Sequence, residues 1–516
     1  MTQPNMRASR SRPSDVRLLR DVAVPLRDGT ITRAEAWVPE GPPGPAILVR
    51  TPYLKETAAP SPVVDVRLAT ERGYSVVVQD VRGRGGSGGE FEPFVNEEAD
   101  GADSVAWVAE QDWCDGRVVM AGMSYVGATQ WLAAAAAPPA LRGIAPSLSS
   151  DDYAEGWSYR GDVPQLGFLA TWNAVDLAPF EERWHDDPLR ACDELERLAG
   201  VAPWSAEWLD AGTGPDYWRS RSVAHRRDDI TVPALVIGGW YDVFCDASLR
   251  SFARSRHEHD RLVVGPWGHD AELSHLVGDA NVGIRGSGVV AELFDTMLDF
   301  YDAVLAGEAP RLPRVSVYVL GARRWVGLEA WPPAGAERRE LPLEPAAVSV
   351  DPADPVPSLG GRGLLVEVPG SGFGIRDQRA VAARDDVAVA LHHAAHDRRW
   401  LAGPASALLR TEAEPGRMWT VTLCVQQPDG ALHNLTEGIG SDDGGGVVEV
   451  ALGDVCTTVE PGQPLVALVA GSSFPRWPRP SRAGSQRLLE GSRLELTAAA
   501  FTQAPTRCAP RGSRKR

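Results

Sequence analysis

The sequence predicts an α/β protein that carries a helical insertion and is closed by a C-terminal β-sandwich. Three observations predict it. Up to about residue 145, continuous apolar strand candidates alternate with helix-like stretches, the pattern of a mostly parallel sheet covered on both faces. Residues 150–228 are rich in Trp, Asp and Arg and lack strand patterning. After about residue 312 the chain turns to alternating, β-branched strands spaced by Pro and Gly. The expected boundaries are a first part of the α/β domain at 1–148, a helical cap at 149–228, a second part at 229–311 and a β-sandwich at 312–516.

In the α/β part the strand candidates are Ala46-Ile-Leu-Val-Arg50, Tyr74-Ser-Val-Val-Val-Gln79, Arg117-Val-Val-Met-Ala121, Pro233-Ala-Leu-Val-Ile-Gly238 and Arg261-Leu-Val-Val-Gly265. An Ala-rich helix is expected from Gly127 to Ala137. In the insertion, Asp187 followed by Pro188 signals a helix start, and a helix is expected over Asp187–Leu198. Trp157, Trp172, Trp184, Trp204, Trp208 and Trp218 lie in this cap. The sandwich strands are read at Arg314-Val-Ser-Val-Tyr-Val319, Met418–Val425 and Gly446–Leu452.

Size and charge bound the partners. At about 150 residues per domain, 516 residues is room for three domains. The 52 basic residues against 69 acidic ones leave a formal charge of −17, which argues against nucleic acid or an anionic membrane as a partner. No run of 18 apolar residues predicts a transmembrane helix, and Met1–Arg20 has no apolar core of a signal peptide. The six cysteines stand far apart without a C-x-x-C pair, as reduced thiols do. The cytoplasm is the expected compartment, where the sequon at Asn434 would stay unglycosylated.

The strongest local feature is Ala121-Gly-Met-Ser-Tyr-Val-Gly-Ala128. A strand runs into Gly122, Ser124 follows and a helix begins at once, so the serine would stand on a sharp turn beside the amide groups of a helix start. A G-x-S-x-G elbow places its second glycine two residues after the serine, whereas Gly127 is three after. The pentapeptide fails, and the pattern alone leaves an ordinary strand–turn–helix open. A serine also needs a base oriented by a carboxylate. In an open α/β sheet these sit beyond later strand ends. Strand 233–238 leads into Trp240-Tyr-Asp242, and strand 261–265 into Pro266-Trp-Gly-His269, giving the order Ser…Asp…His.

These residues carry a family resemblance. Gly-Met-Ser-Tyr-Val-Gly, Gly-Gly-Trp-Tyr-Asp and Gly-Pro-Trp-Gly-His resemble the cocaine esterase family (CocE/NonD) of α/β-hydrolase serine hydrolases, relatives of X-Pro dipeptidyl peptidases and α-amino-acid ester hydrolases. The resemblance extends through Val24–Gly29, Arg50-Thr-Pro-Tyr53, Gln79–Gly88, His433–Gly438 and Ser473–Trp477, the last two in the family's jelly roll. It implies an α/β-hydrolase fold with Ser124 as nucleophile, His269 as general base and acid, and Asp242 as its orienting carboxylate. It also implies an oxyanion hole made by the Tyr53 hydroxyl and the Tyr125 backbone N–H. Without the resemblance, Tyr53 would read as a half-buried loop aromatic.

For specificity, Trp157, Phe168 and Trp172 are open to two readings, as an acyl pocket or as packing inside the cap. Phe244, two residues after Asp242, matches an aromatic wall of the esterase branch. Amino-acid ester hydrolases carry acids two and three after that Asp, where this chain has Phe244 and Cys245; Asp246 leaves the point open. The expectation is therefore hydrolysis of small carboxylic esters, with amides as a secondary class, through an acyl-enzyme and without metal or cofactor. X-Pro dipeptidyl-peptidase or acylase/β-lactam ester hydrolase activity is the alternative. An inert carbohydrate- or partner-binding protein is the alternative of another class. A homodimer is left open.

Other patterns read as structure. Arg82-Gly-Arg-Gly-Gly-Ser-Gly-Gly89 lacks the Gly-Lys ending of a phosphate loop and reads as a backbone turn. His257/His259 and His392/His393/His396 have no clear further ligand and read as solvated histidines. The basic tail 507–516 reads as a disordered end. Lys55, one of two lysines, stands two residues beyond Tyr53.

Overall fold

A computed structural model describes residues 15–501, apart from 59–63, 185–186, 211, 270–272, 364–371 and 394–397. Ten strands form one sheet: β1 (Val16–Pro25), β2 (Ile31–Pro39), β3 (Gly44–Thr51), β4 (Ser75–Asp80), β5 (Cys114–Met123), β6 (Leu141–Ser147), β7 (Leu235–Gly239), β8 (Arg261–Gly265), β9 (Val315–Val319) and β10 (Arg324–Leu328). Their order is β1-β2-β4-β3-β5-β6-β7-β8-β9-β10. The strands from β4 to β9 in that order run parallel, with antiparallel β1–β2 at one edge and β10 at the other. Every residue of β4, β7 and β8 is buried, so both faces of these strands are covered, which is why they read as unbroken apolar runs.

Helices α1 (Glu97–Ala109) and α2 (Tyr125–Ala135) pack beside each other. A Cβ at Gly101 in α1 would lie 2.6 Å from that of Ala133 in α2, so the small residues on both sides set how closely the two helices approach. All eleven residues of α2 are buried, as its Ala-rich sequence allows. That fixes the helix whose start follows Ser124.

Two expectations are corrected. By its sequence pattern Arg314–Val319 points to a sandwich strand. It forms β9 instead, parallel to β8 and part of the large sheet, and β10 extends that sheet further. Its apparent alternation comes from Ser316 and Tyr318, which are both buried. The single helix expected over Asp187–Leu198 is a 3-10 turn, Pro188–Cys192, followed by a short helix, Leu195–Val201. Asp187 makes no side-chain cap bond, so nothing drives the first turn to extend.

The insertion is built from short helical turns, with α3 (Leu166–Trp172) continuing into a π-helical turn, Asn173–Leu177. Aromatic packing joins it to the sheet domain: Phe94 stacks on Tyr153 at 3.9 Å and on Trp208 at 5.7 Å. The C-terminal part is a sandwich of two antiparallel sheets. The larger is built around Arg399–Glu412, paired with Val447–Val459 and Arg493–Ala500, and the smaller around Arg417–Gln426, paired with Leu432–Asp442 and Pro464–Ala470. Leu409, Trp419, Val421 and Val450 belong to one buried cluster between them. Two further helices, α4 (Cys245–Ala253) and α5 (Leu293–Ala306), belong to the sheet domain. Among the described residues, no helix is long and apolar enough to cross a membrane.

Candidate active site

Ser124 sits between β5 and α2 with φ 59° and ψ −128°, a backbone state that costs a non-glycine residue about 1–3 kcal/mol and needs support from its surroundings. The support is visible. The Ser124 N–H donates to Ser147 C=O at 3.0 Å, and its own C=O accepts from the Gly127 N–H at 2.9 Å and the Ser149 hydroxyl at 2.8 Å. The glycines have steric reasons. Gly122 has φ 139° and a Cβ there would lie 2.1 Å from Val126 Cγ1; a Cβ at Gly127 would lie 2.5 Å from Ser149 Cβ. Ser149, on the loop after β6, is what demands glycine three residues after the serine.

Asp242 and His269 follow the ends of β7 and β8, and their loops are tied together. The Trp240 N–H donates to Gly265 C=O and the Tyr241 N–H to Trp267 C=O, both at 2.9 Å. A Cβ at Gly239 would approach that Trp267 oxygen to 2.5 Å. The result is a contact of 2.5 Å between His269 Nδ1 and Asp242 Oδ2, with the carboxylate fully buried. The other oxygen, Oδ1, accepts the Phe244 N–H at 2.7 Å, so both carboxylate oxygens are fixed.

Tyr53 follows β3. Its hydroxyl accepts from Trp172 Nε1 at 3.1 Å, and Ser124 is near enough to bear on the phenol's ionisation, which places Tyr53 beside the serine turn. Burial pushes the phenol pKa up, and the Asp176 carboxylate adds to that, so Tyr53 keeps its proton. Tyr125 points its side chain away into the core, where the hydroxyl donates to Glu97 Oε1 at 3.0 Å and accepts the Phe94 N–H at 2.9 Å. Burial, then Glu97, raise that phenol as well. What Tyr125 offers at the turn is its backbone N–H, at the first position of α2, where amides lack intrahelical acceptors.

The four aromatics named from sequence form one cluster. Trp157 and Phe244 are 4.2 Å apart, Phe168 meets Phe244 edge-on at 5.3 Å, and Phe168 stacks on Trp172 at 5.4 Å. Phe244 also meets the His269 ring edge-on at 5.3 Å. The cluster therefore runs from the tryptophan that holds Tyr53 to the histidine. A neighbouring cleft is lined by Phe168, Thr171, Val243, Arg362 and Arg476, with Tyr53, Ser124 and His269 outside its lining.

Asp246 turns from the cluster into an ionic network. Its Oδ1 accepts from Arg362 Nη1 at 2.7 Å and its Oδ2 pairs with Arg160. Burial alone would raise this carboxyl, but Arg362, Arg160 and Arg250 outweigh it and hold the pKa at about 2. Lys55 is buried against Asp80. Asn434 is buried, with its amide donating to Gly374 C=O and accepting the Arg376 N–H, so the sequon's side chain is used internally.

The five described cysteines are free and buried. Among the described residues no group of three His, Cys, Asp or Glu could hold a metal ion. His396, Cys508 and the 507–516 tail lie outside the described residues. Sequence reading missed Trp172 as a donor to Tyr53, Arg362 as the partner of Asp246, and Phe373, whose ring occupies the space a Cβ at Gly268 would need. None has a local sequence signal, since each acts across more than a hundred residues.

A serine held on a strained strand-to-helix turn, with an Asp–His pair beyond two later strands of a largely parallel sheet, defines the class: a hydrolase of the α/β-hydrolase fold. Residues 28–271 match the family described as X-Pro dipeptidyl-peptidase (S15 family). Cocaine esterase from Rhodococcus sp. (strain MB1 Bresler) is 32% identical over 533 residues, covering 90% of this chain and 92% of that relative. The chain belongs to the cocaine esterase family. In fold it is similar to an aminopeptidase from a marine sediment archaeon, Thaumarchaeota archaeon (TM-score 0.80, 20% identity, 97% and 99% of the two chains covered). It is likewise similar to an α-amino acid ester hydrolase (TM-score 0.78, 20% identity, 96% and 98% covered).

Proposed function

We propose that the protein hydrolyses small carboxylic esters with an uncharged or aromatic acyl group, through an acyl-enzyme on Ser124. The observation that carries the reading is the 2.5 Å Asp242–His269 contact beyond the strand ends, together with Ser124 on its strained strand-to-helix turn. Ser124 Oγ attacks the carbonyl carbon while His269 Nε2 takes its proton, and Asp242 holds Nδ1–H and stabilises the imidazolium. The carbonyl oxygen becomes an oxyanion and receives the Tyr53 O–H and the Tyr125 N–H. Because Trp172 donates to the phenol oxygen, the phenol's proton is the one directed at substrate. Collapse expels the alcohol, which takes the proton from His269. Water then gives a proton to His269 and attacks the acyl carbon, releasing the acid and restoring Ser124.

Two observations favour an uncharged acyl group. Trp157, Phe168, Trp172 and Phe244 form an apolar wall that reaches His269. Asp246, the nearest equivalent of an ammonium-binding acid, is neutralised by Arg362 and Arg160. The cocaine esterase relative, an esterase by name, agrees with this reading.

The test is turnover of p-nitrophenyl acetate and benzoate, with fluorophosphonate labelling. Wild type should turn over and label at Ser124, and Ser124→Ala should do neither. Equal activity in both proteins refutes the assignment.

A further inference from the structure

The Gly-rich turn after β4, a backbone turn by its sequence, brings side chains onto the Tyr53 loop from two directions. At its start, Asp80 is fully buried and adjacent in register to Thr51 at the end of β3. Its Oδ1 accepts the Lys55 backbone N–H at 2.6 Å, and its Oδ2 accepts from Lys55 Nζ at 3.2 Å and the Gly86 N–H at 3.1 Å. Four residues later, Arg84 Nε donates to the Pro52 C=O at 2.8 Å. Tyr53 is thus bracketed, with the peptide before it held by Arg84 and the second residue after it held by Asp80. Between the two brackets Leu54 has φ 77°, a conformation a leucine keeps only where its surroundings fix it.

The same arginine reaches the cap. Arg84 Nη1 donates to Leu177 C=O at 2.8 Å and Nη2 to Asp176 C=O at 3.0 Å, and the guanidinium lies 5.0 Å from the Phe91 ring centre. Leu177 ends the π-helical turn that continues directly from α3, whose last residue, Trp172, donates to the Tyr53 hydroxyl. The backbone of Tyr53 and the partner of its phenol are therefore referenced to one guanidinium. The glycines have a matching reason. Gly85 has φ 53°, and a Cβ there would lie 2.2 Å from Asp80 Oδ2, so glycine is what lets the turn fold back onto the carboxylate.

We propose that Asp80 and Arg84 are positioning residues for the oxyanion donor, fixing the Tyr53 loop from both sides and locking it to the cap. The inference rests on the reading of Tyr53 as an oxyanion donor. One guanidinium directs three N–H donors at the Pro52, Leu177 and Asp176 carbonyls, a fixed fork that a lysine ammonium cannot reproduce. Displacing the phenol by a fraction of an ångström weakens a contact made in the transition state, so the cost falls on kcat.

The test measures kcat and KM on p-nitrophenyl acetate for Arg84→Met and Arg84→Lys, each in the wild-type and the Tyr53→Phe backgrounds. With Tyr53 present, Arg84→Met should lower kcat by about 10-fold or more with KM within about twofold, and Arg84→Lys by an intermediate factor. In the Tyr53→Phe background the same changes should cost less than about twofold, because no phenol oxygen remains to be aimed. Equal losses in both backgrounds, or an unchanged kcat in folded Arg84→Met, would overturn the proposal. Should Arg84→Met fail to fold, the Arg84→Lys pair is read by the same criterion. An unchanged kcat in Tyr53→Phe alone is a different result: it removes the oxyanion reading, and the proposal with it.

Discussion

Replacing Tyr53 by Phe removes one oxygen atom that has two partners. Toward the substrate it is, in the proposed mechanism, an oxyanion donor, and loss of one such donor costs about 10²–10³ in kcat, or about 2.7–4 kcal/mol of transition-state stabilisation. Toward the cap it is the acceptor of the Trp172 Nε1–H at 3.1 Å. Trp172 is 2% exposed, so its N–H is left in a dry site without that acceptor, at a cost of about 1–3 kcal/mol in stability. The two losses separate in the assay. Steady-state kinetics on p-nitrophenyl acetate should show kcat down by about two to three orders of magnitude with KM within about twofold, since the oxyanion exists only in the transition state. Thermal denaturation should show a midpoint lower by a few degrees. Trp172→Phe is the control: it removes the donor instead and lowers kcat less than Tyr53→Phe because the phenol is still present, although the smaller ring leaves a cavity among the stacked aromatics and lowers stability as well. A Tyr53→Phe enzyme with wild-type kcat refutes the oxyanion assignment. A raised KM at constant kcat would mean that Tyr53 binds the ground-state ester.

Three further predictions address the rest of the site. Asp242→Asn keeps an acceptor for the Phe244 N–H but can present an amide N–H to His269 Nδ1, stabilising the wrong tautomer; kcat should fall by about 10⁴, and a loss under tenfold would remove Asp242 from its role. Gly127→Ala would drive a methyl to 2.5 Å from Ser149 Cβ and disturb the hydroxyl bond to Ser124 C=O. It should destabilise by about 1–3 kcal/mol in urea titration, and unchanged stability would show that Ser149 yields freely. Asp454 is pushed up to about 6, by burial and then by the Asp246 carboxylate. A carboxyl raised in the folded state favours folding while protonated, so its contribution is lost as pH rises from about 4 through 6. Relative to Asp454→Asn, the wild type should lose about 3 kcal/mol across that window. Parallel stability profiles for the two proteins would refute it.

How far the site could be read from sequence follows from how far each interaction reaches along the chain. The Ser124 turn is local, so the strand, the glycines and the helix start all lie within one short stretch. The order of Ser124, Asp242 and His269 was legible because each follows an apolar strand, and an open parallel sheet gathers its strand ends at one edge. Tyr53 stands out as a candidate through family resemblance alone, since a tyrosine in a loop has no distinguishing neighbourhood until Trp172 is brought to it. Asp246 could not be assigned, because the arginine that neutralises it lies 116 residues away. Val315–Val319 misled because a buried serine and a buried tyrosine imitate the alternation of a half-exposed strand, whereas the Tyr318 hydroxyl is satisfied inside by Val282 C=O at 2.8 Å.

By itself, then, the sequence determined the central parallel strands, the turn that carries Ser124 and the order of the Ser, Asp and His candidates, which rest on short-range periodicity and turn chemistry. The tertiary structure alone decided why the second glycine is displaced, where Asp246 directs its charge, and what the Asp80–Gly89 turn holds. Those answers depend on close approach between segments far apart in the chain, such as Gly127 against Ser149 and Arg84 against Pro52 and Leu177. Steric exclusion and hydrogen bonding act over a few ångströms of space, and a linear pattern records such neighbours only when they are also neighbours in sequence.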